Sequence, residues 1–585
     1  MKILMTVLAL LTCCVGSASA KDFDVARFGA VADDGKDDSA AVQTAIDECK
    51  KEPGSRLVFH KGRYDFFYNQ KPSDCLLFVG LHDLSIVGPG AELVFHGLVH
   101  GLSFYDCSNI SIQGLTIDWD RLPFSEGTVV ARPDDVTIDV QVDPKFPVTG
   151  GEKVQAMMEF DPATGLPARK MVYGNSAYVV DQYDAVKTAE LVGPQRLRLH
   201  LNYRMTPGPA VGALLILRHQ VYGYNAFEIV GGSHFTLRDI RIYAAPGMGM
   251  WTRLSSDFVI RNVNVMIRPG SGRHMSTCAD GLHFLYTSGT VDIADCLFEG
   301  LGDDAINIHG IYLAIDQVVD DHTISVCNDP CAPQVADLVE FSHPTLTPIA
   351  RDVVKSVTPQ GGKLLIGFAD PLPAGLAPGD TIFNRSRIPK AHISGCTARA
   401  NRARGFLIGA AGGIIEKNTF DHCTGEAIQV WADDSYWKEG PGTTDLCIRL
   451  NQIHGVNYGA AMSEAAINVY AEMAGGKIAA AGVHQRIFID QNTIDDTTLG
   501  GIRVTSASTV FVINNTITRC CQQKATPREG SESAPIILEN VQDAQINANR
   551  IADFPSANKM VLLKGACQKI EMEGKPLDGA APGPG

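Results

Sequence analysis

The chain has 585 residues, with 65 acidic against 50 basic side chains and a net charge of −15 at neutral pH. That balance argues against nucleic acid or an anionic membrane surface as a partner and weakly disfavours a polyanionic substrate. At this length several domains are the default, but a solenoid exceeds that bound because it grows in one dimension.

Lys2, an apolar run over residues 3–15, and Ala18-Ser19-Ala20 before Lys21 form the pattern of a secretory signal peptide spanning 1–20. The run is too short for a membrane span, and its end is too small and polar. A secreted or periplasmic protein cleaved near Ala20 is expected, with lipid anchoring at Cys13 as the alternative. No later stretch is apolar enough to cross a bilayer.

Residues 21–119 begin with Phe28-Gly29-Ala30, Asp34-Gly35 and Asp37-Asp38, then Ala41, Val42, Ala45, Ile46 and Cys49 at helical spacing. The spacing predicts an amphipathic helix over 39–51, suited to cover the open end of a solenoid. These motifs resemble the start of pectate-lyase-like superfamily members, which implies a right-handed parallel β-helix and leaves function open. Alternating strands follow at Leu57, Leu84 and Ile110. The repeat breaks at 120–220 and again at 311–388, where strands separated by Pro, Gly and Asp turns predict two inserted small antiparallel β-barrel-like segments. Coils resume over 221–310, which carry the chemistry, and over 389–572. In the later coils Asn-x-Ile steps at Asn451, Asn492, Asn515 and Asn549 predict hydrogen bonding between turns. The Pro/Gly-rich tail, 573–585, is expected to be disordered. The expected fold class is thus all-β: a parallel β-helix with an N-terminal capping helix and two inserts.

Cysteines 296, 396, 423 and 447 sit in strand-like runs and are expected in the core. Cys327 and Cys331, in a loop of an exported protein, are the expected disulfide. No histidine–cysteine set follows to complete a zinc site.

The segments beginning at Phe235, Phe258 and Val291 align at steps of 23 and 33 residues, and Asp280 precedes Asp303 by 23. Coils stack about 4.8 Å apart, so Asp280 is expected beside Asp303 and Asp304 on a solvent-facing strand edge. Clustered carboxylates suit acid–base glycoside hydrolysis, calcium-assisted β-elimination, or a turn that caps amides. The run from Asp303 to Gly310 has no lysine or arginine to act as an eliminating base, whereas His283, Asn307 and His309 suit sugar hydroxyls. For Asp303 and Asp304 to reach one site the chain must turn there, and Gly302 permits it. Trp251, Trp431 and Trp437 are candidate sugar platforms; Trp431 is preferred because Glu426 and Gln429 lie on the same coil.

Asp280-Gly281, Gly302-Asp303-Asp304 and Asn307-x-His309-Gly310, on a β-helix with two inserts, resemble glycoside hydrolase family 110, exo-acting inverting α-1,3-galactosidases, over nearly the whole chain after the leader. The resemblance implies Asp303 as general acid, and Asp280 and Asp304 as the pair that holds and activates water. It implies a galactose-terminated oligosaccharide or glycoprotein glycan as substrate, either blood-group-B-type or linear, and neither metal nor cofactor. Arg268, Arg273, His274 and Glu464 are further candidates to hydrogen-bond the galactose. Family 28 polygalacturonases share the Asp and Asp-Asp arrangement, but their Asn-Thr-Asp, Gly-His-Gly and Arg-Ile-Lys motifs are missing. A pectin hydrolase of that kind is the alternative enzyme, and a non-catalytic β-helix adhesin or glycan-binding protein is the alternative of another class. Oligomeric state is not legible.

Overall fold

The computed structural model describes residues 20–67, 73–169, 186–205, 208–459, 464–522, 533–556 and 558–577. Residues 1–19 of the expected leader, Cys13 with them, and 578–585 of the expected tail lie outside the described residues, whereas 573–577 are described and pair Lys575–Pro576 with the strand Gln568–Met572. The chain is almost entirely β, and parallel strands stack coil upon coil along most of its length. Phe235 pairs with Phe258 and Phe258 with Val291, at the steps read from the sequence. Alternation puts every second side chain inside. Phe235, Phe258, Val291, Ile240 and Val263 accordingly share one continuous core, with the Phe235 and Phe258 rings stacked at 5.6 Å.

Helix α1 (Ser39–Cys49) lays Val42, Ala45, Ile46 and Cys49 against that same core. Two antiparallel sheets interrupt the coils. Among the described residues the first has six strands between Phe124 and Arg218, with its own core around Phe124, Val140, Leu199 and Leu215. Met275 and Cys278 belong to this core, so the insert is packed directly against the turn that carries Asp280. The second grows from the strand Ile306–Val318 and includes Thr323–Cys327, Leu338–Ser342, Pro348–Gln360, Lys363–Phe368 and Thr381–Asn384. Leu313, Ile324, Phe341 and Ile366 form its core.

The recurrent asparagines form a buried ladder. Asn418 donates to Asn451 at 3.0 Å, Asn451 to Asn492 at 2.9 Å, Asn492 to Asn515 at 3.0 Å, and Asn515 to Asn549 at 3.0 Å. Each side-chain oxygen also takes the backbone N–H of the preceding rung, as Asn492 Oδ1 does from Asn451 at 3.1 Å. A fully bonded amide stack satisfies turn groups that the solenoid interior would otherwise leave without water.

The cysteines correct one expectation. Cys327 is exposed, Cys331 is buried, and both are free thiols. Cys296, Cys396 and Cys423 are buried as expected, and Cys447 is half-buried. Among the described residues no helix is long and apolar enough to cross a membrane.

Candidate active site

Six parallel strands stack through the site: β1 (Met250–Arg253), β2 (Leu282–Leu285), β3 (Ile306–Val318), β4 (Phe406–Ile408), β5 (Ile428–Asp433) and β6 (Ala465–Met473). Their register aligns Trp251, His283, Asn307, Leu407, Gln429 and Asn468 in one row. The residues entering these strands form a second column. Gly281 N–H donates to Asp304 O at 2.9 Å, Ala305 N–H to Arg404 O at 3.2 Å, and Gly405 N–H to Glu426 O at 2.8 Å. Asp280, Asp304, Arg404 and Glu426 therefore follow one another on successive coils.

The structure brings the three carboxylates together but buries them, against the expectation of a solvent-facing edge: Asp280, Asp303 and Asp304 are 3%, 7% and 2% exposed. Burial follows from the first insert, whose core includes the Asp280 turn. Gly302 is needed for close approach, not for a left-handed turn, since a Cβ there would lie 2.2 Å from Cys278 O and 2.7 Å from the Arg218 guanidinium. Arg218 itself ties the two turns, donating 2.8 Å hydrogen bonds to Cys278 O and Gly302 O.

Buried carboxylates need partners, and sequence reasoning missed these. Arg402 Nη1 lies 2.8 Å from Asp303 Oδ2, which also accepts from Tyr222 O–H at 2.7 Å. Asp304 Oδ1 accepts from Arg404 N–H at 2.9 Å, and its Oδ2 lies 3.4 Å from Arg404 Nη1. Arg404 Nε donates to Gln429 at 2.9 Å and lies 3.8 Å from Glu426. Glu439 Oε1 is 3.7 Å from His309 Nε2.

These contacts separate the three acids. Burial would raise Asp303, but Arg402, Tyr222 and Arg218 outweigh it and hold the carboxyl below the ordinary range. Burial and the Asp303 charge push Asp280 well up. Burial also pushes Asp304 up to about 8, against the pull of Arg404 and with the Asp303 and Asp280 charges adding to the rise. The hydrogen-bond directions support the protonated state of Asp280. His309 Nδ1 faces Gly310 O at 3.1 Å, a pure acceptor, so it donates there. In the neutral ring His309 Nε2 then accepts from His283 Nε2 at 2.9 Å, and His283 Nδ1 accepts from Asp280 at 2.6 Å. Both rings are neutral because burial lowers them, His283 to about 4. These tautomers are assigned from the network.

One consequence is measurable without substrate. Asp304 binds its proton more tightly folded than unfolded, so its contribution to stability is lost as pH rises from about 4 towards 8. Asp304→Asn carries no such proton. The melting temperature of the variant minus that of the wild type is expected to grow between about pH 5 and pH 8. A difference independent of pH would contradict the raised value.

Of the other predicted residues, Asn307 hydrogen-bonds Asp280, and His283 and His309 complete the chain above. Trp431 lies under the Arg404 guanidinium, 5.3 Å from its ring centre. Glu426 is buried beside Arg404. Four other candidates have side chains held by protein partners. Arg268 pairs with Glu92 and Asp118, and Arg273 chelates Asp118 at 2.9 and 3.0 Å. His274 bonds Glu126 at 2.7 Å, and Glu464 pairs with Lys564 at 2.9 Å. The segment 268–274 is thus clamped to neighbouring strands.

Buried polar atoms without a protein partner among the described residues occur along the same stack of strands, among them Asn307 Oδ1, Trp431 Nε1 and both amide atoms of Asn468. Native proteins leave few such atoms unmatched, and these lie on β3, β5 and β6 of the stack into which the trio's turns lead. They fit a ligand rich in hydroxyls.

No protein-family profile matches the chain. It is 28% identical to "Alpha-1,3-galactosidase B" of Bacteroides thetaiotaomicron, over 76% of this chain and 77% of that protein. It is 27% identical to "Alpha-1,3-galactosidase A" of Shewanella woodyi, over 95% of this chain and 96% of that protein. Among solved structures, the catalytic domain of Agl-KA superposes with a TM-score of 0.50 at 12% identity, over 95% of this chain and 68% of that one, a likeness of fold alone. Across most of its length, the chain is a homologue of proteins named alpha-1,3-galactosidase.

Proposed function

We propose that the protein is an exo-acting, inverting α-1,3-galactosidase that releases terminal galactose from glycans. The observation that carries this is the buried trio Asp280, Asp303 and Asp304, with charges set apart by Arg402 and Arg404, in a chain homologous to proteins named for that activity. In the reaction, water attacks the anomeric carbon from the face opposite the leaving sugar. The bond from that carbon to the glycosidic oxygen breaks, an acid delivers its proton to that oxygen, and a carboxylate takes the proton of the water. A neutral sugar is favoured over a uronate because Arg402 and Arg404 each already answer a trio carboxylate. The inserts wall the site, and helix α1 closes the N-terminal end. Export with removal of the leader is part of the same reading.

The division of roles has two readings, each with its own support. The family resemblance gives the acid proton to Asp303. The resting charges give it to Asp280 or Asp304, because Arg402 and Tyr222 hold Asp303 ionised and the histidine chain needs a donor at Asp280. Release of galactose from α-1,3-galactobiose and a branched blood-group-B-type trisaccharide, but not from an α-1,6-galactoside or an oligogalacturonate, is the expected result. Cleavage of the oligogalacturonate with no galactose released would replace the proposal with a pectin hydrolase.

A further inference from the structure

The loop leaving β5 carries Tyr436 and Trp437, 79% and 48% exposed, with their rings edge to face at 4.9 Å. Two large aromatics in water gain nothing for the fold, yet the loop that presents them is tightly held. Asp433 is fully buried, and its carboxylate accepts N–H groups from Ser435 at 2.6 Å, Tyr436 at 3.3 Å and Trp437 at 2.7 Å. Lys438 Nζ returns to Asp434 O at 2.6 Å, and Lys438 O accepts from Tyr312 N–H at 2.7 Å. Glu439 and Gly440 then pair with Ile311 and Gly310 on β3.

This anchoring also fixes where the pair lies. Glu439, two residues after Trp437, places its carboxylate 3.7 Å from His309, which is bonded through His283 to Asp280. The loop that bears the aromatics therefore leaves the coil that supplies Gln429 and Trp431 and, two residues after Trp437, reaches His309.

We propose that Tyr436 and Trp437 are the platform of a second subsite, which binds the sugar from which galactose is removed. The proposal rests on the galactosidase reading. An exo-acting site has substrate on one side only, so any sugar outside the galactose pocket belongs to the leaving saccharide. The C–H face of a pyranose packs on an aromatic ring, and a loop pinned at Asp433 and Glu439 holds such a ring without ordering cost on binding.

The test compares kcat/KM on an α-1,3-linked galactotrisaccharide with kcat/KM on α-galactosyl fluoride, which has no leaving sugar. Trp437→Ala is expected to lower the ratio of the two about tenfold, the scale of one lost aromatic contact. Trp437→Phe, which keeps a stacking face, is expected to restore most of it. An unchanged ratio overturns the subsite, and so does a ratio that Phe fails to restore. An unchanged ratio with an altered sedimentation coefficient assigns the pair to contact between copies instead. A wild-type protein that hydrolyses neither compound overturns the galactosidase reading, a result distinct from wild-type turnover with an unchanged variant.

Discussion

Asp280→Asn, Asp303→Asn and Asp304→Asn are each expected to lower turnover of an unactivated α-1,3-galactoside by about 10²–10⁴-fold, the usual contribution of positioned acid–base catalysis. The three differ in what they do to the fold. Asparagine at 304 keeps an oxygen for the Arg404 N–H and removes a buried carboxyl whose charged form is disfavoured. Asparagine at 303 leaves Arg402 buried beside a neutral amide, and breaking a buried pair costs about 3–5 kcal/mol. Circular dichroism and melting temperature, measured with the kinetics, separate these effects. Turnover near the wild-type rate by any two of the folded variants would contradict the site.

The second large effect distinguishes the acid from the base. A 2,4-dinitrophenyl α-galactoside leaves without a proton, so loss of the acid is expected to spare it while turnover of the disaccharide falls about 10²–10⁴-fold. Loss of the base impairs both. If substrate binding loads the proton where the family resemblance places it, Asp303→Asn shows the selective loss. If the resting charges persist, Asp280→Asn or Asp304→Asn shows it, and with Asp304 as the acid the alkaline limb of kcat/KM falls near about 8. Equal losses on both substrates in all three variants would contradict a division into acid and base.

Much of this was legible in the sequence because a solenoid makes register visible as period. The steps linking Phe235, Phe258 and Val291 set the pairing that puts Asp280 beside Asp304. The asparagine spacing likewise announced a ladder. What escaped was separated by an insert. Asp280-Gly-Leu-His-Phe284, Asp304-Ala-Ile-Asn-Ile308, Arg404-Gly-Phe-Leu-Ile408 and Glu426-Ala-Ile-Gln-Val430 share one pattern, a charge before a small residue and a strand. With 311–388 excised, Arg404 would have fallen into the column of the trio. Tyr222 and Glu439 had no such signal, since Tyr222 reaches the site from irregular chain and Glu439 from a two-residue strand that pairs with β3. Burial was also hidden, because nothing local to Asp280 says that an insert core closes over Cys278. The partners of Arg268, Arg273 and His274 were hidden for a related reason: the carboxylates that hold this basic loop lie on strands distant in sequence.

The central claim is that this trio hydrolyses a terminal α-1,3-galactoside with water entering opposite the leaving sugar. Proton NMR of wild-type protein during the first minutes of α-1,3-galactobiose turnover tests it most directly, because the anomeric signals report which face the water used before mutarotation equalises them. The account predicts that the released galactose appears first as the β-anomer. An initial α-anomer would mean a retaining site and would contradict it.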